Sequence, residues 1–135
     1  MDFFTLPDDP TRRVIAQAML DMSFILLEND FDLDHVRIAN CLTLARIDRE
    51  LLDFSEISKR TRVPRPTVIR KVKAWESVGM VTTQRRDGHT YVLPTRLGAT
   101  HEQAVTRWRE LERVLLEAAE RLSARPPDVP ARKRA

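Results

Sequence analysis

The amino-acid sequence predicts a mainly helical α+β fold, and three observations within residues 53–98 support that prediction. A short helix that starts at a capping residue is followed by a turn, and then by a second helix rich in Arg and Lys. Two short strand-forming runs come next, joined by a charged segment that contains Asp-Gly, a strong hairpin signal. The order helix, turn, helix, hairpin is that of a winged helix-turn-helix with a two-stranded wing.

Two helices are predicted before this unit. Apolar residues recur at helical spacing from Pro10 or Thr11 to about Asn29, where the segment NDFDLD interrupts the pattern. A second, largely apolar helix is predicted over 34–48. Residues 1–33 are therefore expected to form an N-terminal arm and a long helix.

The helix-turn-helix pair has clear start and stop signals. Asp53 and Glu56 have the spacing of a capping box, in which side chains satisfy the backbone N–H groups at a helix N-terminus. This helix is expected to end near Thr61. Two prolines then mark the start of a helix over 64–78, since proline is tolerated in a first helical turn, and Gly79 is expected to end it.

The hairpin and the last helix complete the predicted order. Strands are expected over 81–84 and 90–93, with the charged residues 85–89 as the tip between them. A long helix is predicted over 99–123. The prolines and charges of 124–135 predict a disordered basic tail.

Charge is distributed unevenly along the 135 residues. Residues 1–55 contain five Lys and Arg against eleven Asp and Glu, whereas residues 56–96 contain ten against three. Residues 97–135 are nearly balanced, with eight against six. A basic block beside a strongly acidic one indicates a localised polyanion-binding face within the predicted winged domain, 34–98.

The cysteine count, the N-terminal residues and the length of the apolar runs predict the cellular setting. Cys41 is the single cysteine, which excludes an intrachain disulfide and agrees with a reducing, cytoplasmic setting. The acidic N-terminus does not resemble a signal peptide, and no apolar run is long enough to span a membrane. We interpret Cys41 as a small core residue, because no neighbouring feature would lower its pKa.

Candidate DNA-binding residues lie on the second helix of the unit, the turn and the hairpin. Val68, Val72 and Trp75 form the inward stripe of that helix, so the basic residues between them face outward. Arg can bind guanine bidentately, and Ile can contact a thymine methyl group. We predict base reading by Arg65, Thr67, Ile69, Arg70 and Lys73, phosphate contacts by Lys59, Arg60 and Arg62, and backbone or minor-groove contacts by Arg85, Arg86 and His89.

Two helices carry apolar stripes that favour a homodimer. In the last helix the spacing alternates between four and three residues, as in a short coiled-coil seam, and the first helix offers a matching stripe. We expect the two helices to pack across a two-fold axis, whereas a monomer in which both fold back on their own core is the alternative. The predicted dimer residues are Val14, Ala18, Met22, Ile25, Ala104, Trp108, Leu111, Leu115, Ala118 and Leu122.

The basic unit resembles the MarR (multiple antibiotic resistance regulator) family of winged-helix transcription factors. Residues 55–63 read SEISKRTRV, 67–72 read TVIRKV and 79–81 read GMV, and the TRLG of 95–98 is similar to the family's T-x-x-G. The resemblance implies a homodimer on a pseudo-palindromic double-stranded DNA operator, usually acting as a repressor. It also implies that Arg65, Thr67, Ile69 and Arg70 are the base-reading positions, and that Arg85 and Arg86 belong to the wing.

The chain departs from the family pattern at two places. Pro64 and Pro66 stand where hydroxyl residues usually begin the recognition helix, so side-chain capping there is lost. His89 stands where the family often has an Arg paired to the preceding Asp, so the usual wing contact is changed.

Other function classes are less well supported by the sequence. No P-loop, G-x-G-x-x-G, paired-carboxylate or Ser-His-Asp pattern is present, and His35, His89 and His101 lack ligand spacing, so no enzyme, cofactor or metal is expected. A small-molecule effector is compatible with a regulator. The competing hypothesis is a winged helix whose basic face binds an acidic protein partner, and salt-sensitive, sequence-preferring binding to duplex DNA would discriminate against it.

Overall fold

A computed structural model describes residues 10–28 and 32–124 and confirms a mainly helical fold with a small antiparallel sheet. The order of elements along the chain is the predicted one, with one additional strand and one additional short helix. The elements are α1 (Pro10–Leu27), α2 (Leu33–Ile47), β1 (Leu52–Asp53), α3 (Phe54–Thr61), α4 (Arg65–Ser77), β2 (Val81–Arg86), β3 (His89–Pro94), α5 (Arg96–Thr100) and α6 (Glu102–Ala124).

The chain divides into two compact units. Among the described residues, one unit comprises 10–25 and 108–124, and the other comprises 26–28 and 32–107. The second unit therefore contains the helix-turn-helix and the sheet. Across the described part of the chain, none of the helices has the length and apolar character that crossing a membrane requires.

Side-chain caps mark the start of α2 and α3, whereas α4 begins without one. Asp32 accepts a hydrogen bond from the backbone N–H of His35 at 2.7 Å and starts α2. Asp53 does the same for Glu56 at 2.8 Å, which confirms the predicted start of α3. Pro64 precedes α4 and provides no side-chain cap, in agreement with the expected loss of capping at this position.

The sheet has three strands in the order β1-β3-β2, all antiparallel. The predicted tip over 85–89 was too long, because pairing continues to Arg86 opposite His89. Asp87 and Gly88 alone form the turn, with positive φ angles of 52° and 81°. Such a two-residue turn matches the twist of a hairpin, so the strands stay paired up to it.

The predicted last helix is two helices. Thr95 accepts a hydrogen bond from the N–H of Gly98 and starts α5 at Arg96. His101 is extended, and its Nδ1 accepts from the N–H of Ala104, which starts α6. Local capping therefore breaks what the apolar spacing alone predicted as one helix.

The core of the second unit joins α2, α3, α4 and the sheet. Its largest fully buried side chains are Ile38, Ile57, Val63, Val68 and Val72. Residues from every strand complete this cluster, and their burial fixes the hairpin beside the helix-turn-helix. The strand members are Leu52, Val81 and Val92.

Within the first unit, α1 and α6 share one small cavity, so the two helices pack together in a single chain. Val14, Ala18, Val114 and Ala118 line the cavity with four polar neighbours, Gln17, Asp21, Glu117 and Arg121. Two of the predicted dimer residues, Ala18 and Ala104, are buried within the chain, Ala104 in the second unit, and the dimer seam stays a prediction.

The remaining predicted dimer residues differ in exposure. Met22, Ile25, Leu111 and Leu122 are half-buried, whereas Trp108 and Leu115 are exposed. Several large apolar side chains that were not part of the predicted seam are exposed on the same two helices. They are Ile15, Met19, Leu20, Phe24 and Leu116.

Candidate nucleic-acid interface

The basic side of α4 is the centre of the candidate interface. Arg65, Arg70 and Lys73 are exposed, while Val68 and Val72 are fully buried and point into the core. This separation follows from the helical period, which turns successive residues by about 100° around the axis. The three cations are thus held on one outward surface by a helix that cannot rotate without exposing two valines.

Thr67 and Ile69 are less exposed to solvent than predicted. Both are half-buried, and Ile69 packs against the core cluster, as does Trp75. Ile69 follows Val68 directly, which places it at the border of the buried face rather than opposite it. The expectation that Ile69 lies away from the inward stripe is therefore only partly correct.

Arg60 is already engaged by acidic neighbours. Its guanidinium lies 2.6 Å from a carboxylate oxygen of Glu50 and 3.8 Å from one of Glu56. The hydrogen bond from Arg60 lowers the pKa of Glu50 below its ordinary value. A phosphate would have to compete with these carboxylates, which makes Arg60 a weaker candidate than sequence position alone indicates.

The turn between α3 and α4 presents two further cations. Lys59 and Arg62 are both exposed. Arg62 ends α3 in the left-handed region with φ of 59°, and its N–H donates to the carbonyl of Ser58. The Ser58 hydroxyl in turn donates to the carbonyl of Val63 at 2.6 Å. These bonds fix the turn that positions α4 relative to α3.

A polar and aromatic cluster joins α4 to the start of α2. Lys71 donates to Asp32 at 2.8 Å, and its side chain is only 14% exposed, so it is not available to DNA. This bond is the main reason that the pKa of Asp32 is lowered. Beside it, the rings of His35 and Trp75 meet edge-to-face with centroids 4.7 Å apart, and burial lowers the pKa of His35 to about 4. His35 is therefore neutral at physiological pH.

The wing exposes Arg85 and Arg86 on β2. The start of that strand is tied to α4, because Glu76 accepts from both the N–H and the hydroxyl of Thr83, at 3.1 and 2.6 Å. The wing arginines are therefore carried by a strand with a fixed attachment to α4.

His89 on β3 bonds with a residue outside the wing. Its Nδ1 lies 2.9 Å from Oδ2 of Asp53, the residue that caps α3. A carboxylate can only accept a hydrogen bond, so Nδ1 carries the proton. The imidazole that was predicted to contact DNA is thus directed toward Asp53 of its own chain.

Contacts at the end of the wing explain why Thr95 and Gly98 occur in the TRLG segment. The hydroxyl of Thr95 lies within hydrogen-bonding distance of the carbonyls of Gly79 and Met80 and also accepts from Gly98. A Cβ on Gly98 would overlap the Met80 carbonyl. Thr95 and Gly98 therefore hold the end of β3 against the residues that follow α4.

Cysteine reactivity and metal binding have little support in the described part of the chain. Cys41 is half-buried, packs against the core, and has its pKa raised by burial. Over residues 10–28 and 32–124, no three His, Cys, Asp or Glu side chains come together as metal ligands.

Sequence reasoning missed several side-chain contacts between elements. Asp32–Lys71, Asp53–His89 and Glu76–Thr83 each join residues from different helices or strands. Only the last had a signal, since a carboxylate at the end of α4 precedes a strand rich in threonine. The exposed apolar side of α1 was visible in the sequence as a second stripe beside the expected one.

Comparison with known proteins gives matches only at the level of structure. No family model matches the chain, and no curated protein matches it. NadR in complex with 4-hydroxyphenylacetate superposes with a TM-score of 0.63 at 16% identity, over 87% of this chain and 86% of that one. The transcriptional regulator PA4135 gives 0.60 at 16% identity, over 86% and 85%.

A third similar structure is BpsR of Bordetella bronchiseptica, whose DNA binding is regulated by 6-hydroxynicotinic acid. It superposes with a TM-score of 0.55 at 12% identity and covers 91% of each chain. These three matches each cover at least 86% of this chain. The resemblance noted in residues 55–98 is thus confirmed by the architecture, and the chain has the winged helix-turn-helix fold of MarR-type transcriptional regulators.

Proposed function

We propose that this protein is a sequence-specific, double-stranded DNA-binding transcriptional regulator that acts as a repressor. The observation that carries the proposal is the outward surface of α4, where Arg65, Arg70 and Lys73 are exposed above two fully buried valines. A helix of this kind fits the major groove, where Arg and Lys read guanine. Arg85 and Arg86 on the wing would follow the backbone or enter the minor groove.

The operator follows from the proposed assembly. We propose a homodimer in which α1 and α6 form the interface and residues 34–98 bind DNA. Two copies related by a two-fold axis would place their α4 helices about 34–36 Å apart, one turn of DNA. The operator would then be pseudo-palindromic, with one half-site for each protomer.

The support for a dimer comes from exposed apolar surface. Met19, Phe24 and Leu116 are each more than half exposed on α1 and α6. A concentration of exposed large apolar side chains marks interaction sites in soluble proteins. This proposed interface replaces part of the expected seam, because Ala18 is buried within the chain.

A small aromatic acid is the proposed effector class. Among the proteins with the same fold, NadR is in complex with 4-hydroxyphenylacetate, and the DNA binding of BpsR is regulated by 6-hydroxynicotinic acid. Both compounds combine a hydroxylated ring with a carboxylic acid. An increase in thermal stability on adding such an acid, with release of bound DNA, is the expected result, and a panel without any stabilising member would contradict this proposal.

The test of the proposed function is selection of bound sequences from a random pool of duplexes. The selected duplex should bind far more tightly than random DNA, and affinity should fall steeply as salt rises, because phosphate contacts release counterions. Fluorescence anisotropy over a salt series measures both. A protein that enriches no sequence and binds duplexes without salt dependence would instead fit the alternative, an acidic protein partner on the same basic face.

A further inference from the structure

The wing is attached to the helix-turn-helix by a carboxylate at each strand. On β2, Glu76 from α4 accepts two hydrogen bonds from Thr83, at 3.1 and 2.6 Å. On β3, Asp53 accepts one from His89 at 2.9 Å. The first attachment lies near the base of the hairpin, whereas His89 lies next to its two-residue turn. The contact between Asp53 and His89 therefore restrains the end that a DNA groove would meet.

The sheet register explains why these two side chains meet. Asp53 pairs with Tyr91 across β1 and β3, and His89 lies two residues before Tyr91 on the same face of the strand. Such diagonal neighbours are within reach of long side chains. The pairing needs the short strand β1, which brings the start of α3 to the hairpin.

The two partners differ in their freedom to move. The side chain of Asp53 is 14% exposed, against 59% for His89. One carboxylate oxygen of Asp53 already accepts from Glu56 at the start of α3, and the other accepts from His89. The acceptor is thus fixed by the helix that it caps, and the imidazole is the group that would be released.

We propose that His89 is a positioning residue, which sets the orientation of the wing through Asp53 instead of contacting DNA itself. The residues that it positions are Arg86, its cross-strand partner, and the neighbouring Arg85. This inference rests on the proposed function, because the wing is oriented for binding duplex DNA. It changes the expectation that His89 is a DNA contact, and it assigns Asp53 a second role beside capping α3.

Asp53→Asn is the most selective variant for this test. Asparagine is as good an N-cap as aspartate, so α3 keeps its start and the fold is retained. Its amide then offers a donor where His89 needs an acceptor. His89→Ala removes the other partner, and His89→Arg keeps a hydrogen-bond donor at this position. Gln84→Ala, at an exposed position of β2, is the matched control.

The first measurement is affinity for the selected duplex by fluorescence anisotropy. We expect His89→Ala and Asp53→Asn each to weaken binding roughly two- to fivefold, the coupling typical of part-exposed pairs, and the double variant to be no weaker than the worse single one. His89→Arg should bind like wild type, but should fail to rescue binding in the Asp53→Asn background. Rescue by His89→Arg in both backgrounds, or additive losses, would show a direct DNA contact and overturn the inference.

The second measurement needs no DNA. Backbone ¹⁵N relaxation of Asp87 and Gly88 in the free protein should report a loss of order in His89→Ala and Asp53→Asn, and none in Gln84→Ala. An unchanged tip in both variants would overturn the positioning role even if DNA binding were confirmed. Conversely, a wild-type protein that binds no duplex would end the proposed function, while the relaxation data would still decide whether this pair holds the wing.

Discussion

Among the three glycines, Gly98 is the one with no room for a side chain. A side chain there has no space, because its Cβ would overlap the backbone carbonyl of Met80, which cannot rotate away as a side chain could. Met80 in turn accepts from Thr95 at the wing exit. The glycine therefore allows α5 to lie directly against the chain that enters the wing.

We expect Gly98→Ala to lower the free energy of unfolding by about 1–3 kcal/mol, the usual cost of overpacking a tight site. Arg96→Ala, at an exposed position of the same helix, is the control and should change stability little. Urea unfolding of the three proteins measures both values. Equal stabilities of Gly98→Ala and wild type would mean that α5 can shift without cost.

Asp53 should make stability depend on pH in the acid range. Its pKa is lowered, first by the backbone N–H of Glu56 and also by His89, with burial acting in the opposite direction. A depressed folded-state pKa stabilises the fold above the ordinary value of 3.8, and this contribution is lost as pH falls through the folded-state value.

Unfolding free energies measured by urea from about pH 6 down to about pH 2 should therefore fall more steeply for wild type than for Asp53→Asn, which cannot titrate. Asparagine keeps the cap, so α3 remains in both proteins. Parallel pH curves would contradict the assignment of a perturbed carboxylate at this position.

Arg70 is the residue best placed to read a base. It is exposed on the first half of α4, and no carboxylate within residues 10–28 and 32–124 forms an ion pair with it. Arg70→Ala should cost about 1–3 kcal/mol of discrimination between the selected and random duplexes. Arg70→Lys keeps the charge without the bidentate geometry and should lose discrimination but little non-specific affinity. Equal losses on both duplexes would reduce Arg70 to a phosphate contact.

Among the helices and strands, the hairpin is the element whose proposed DNA contacts depend most on its orientation. Pairing up to a two-residue turn makes it a regular ribbon, with Arg85 and Arg86 near the turn. Its attachments to α3 and α4 restrict its direction. A ribbon held in this way can follow a phosphate backbone without the entropic cost of ordering a loop.

The double variant Arg85→Ala with Arg86→Ala should lower affinity for all sequences and reduce the slope of log affinity against log salt by roughly one for each phosphate that the wing no longer binds. Arg37→Ala with Arg46→Ala removes the same charge from exposed positions of α2 and serves as the control. A slope that both double variants change equally would show only a general charge effect, without binding of DNA by the wing.

For the molecule as a whole, the exposed apolar side of α1 and α6 predicts self-association. Phe24 is 55% exposed and Leu116 62%, which is costly surface for a protein of 135 residues. In a two-fold dimer, the copies of these side chains on both protomers would be buried.

Sedimentation at micromolar concentration should give a dimer mass for wild type. Phe24→Asp should weaken dimerisation tenfold or more, since burying a large apolar side chain contributes about 1.5–3 kcal/mol. Leu44→Asp is the matched control, because Leu44 is similarly exposed, at 60%, but lies on α2. A monomeric wild type with high affinity for a single half-site would reject the dimer.

The amino-acid sequence alone was enough to define most of the elements and the side of α4 that faces outward. Asp53, the prolines before α4, Gly79 and Asp87-Gly88 act through their immediate neighbours, so their effects could be predicted locally. The burial of Val68 and Val72 followed from helical spacing alone.

Which residues those elements bring together became clear only from the three-dimensional arrangement. Asp53 and His89 are 36 residues apart, and Asp32 and Lys71 are 39 apart, so no local pattern connects them. The two-residue strand β1 is likewise too short to have its own periodicity, and it exists because β3 lies beside it. Local signals specify where helices and strands begin and end, whereas contacts between distant residues depend on how the buried core places those elements in space.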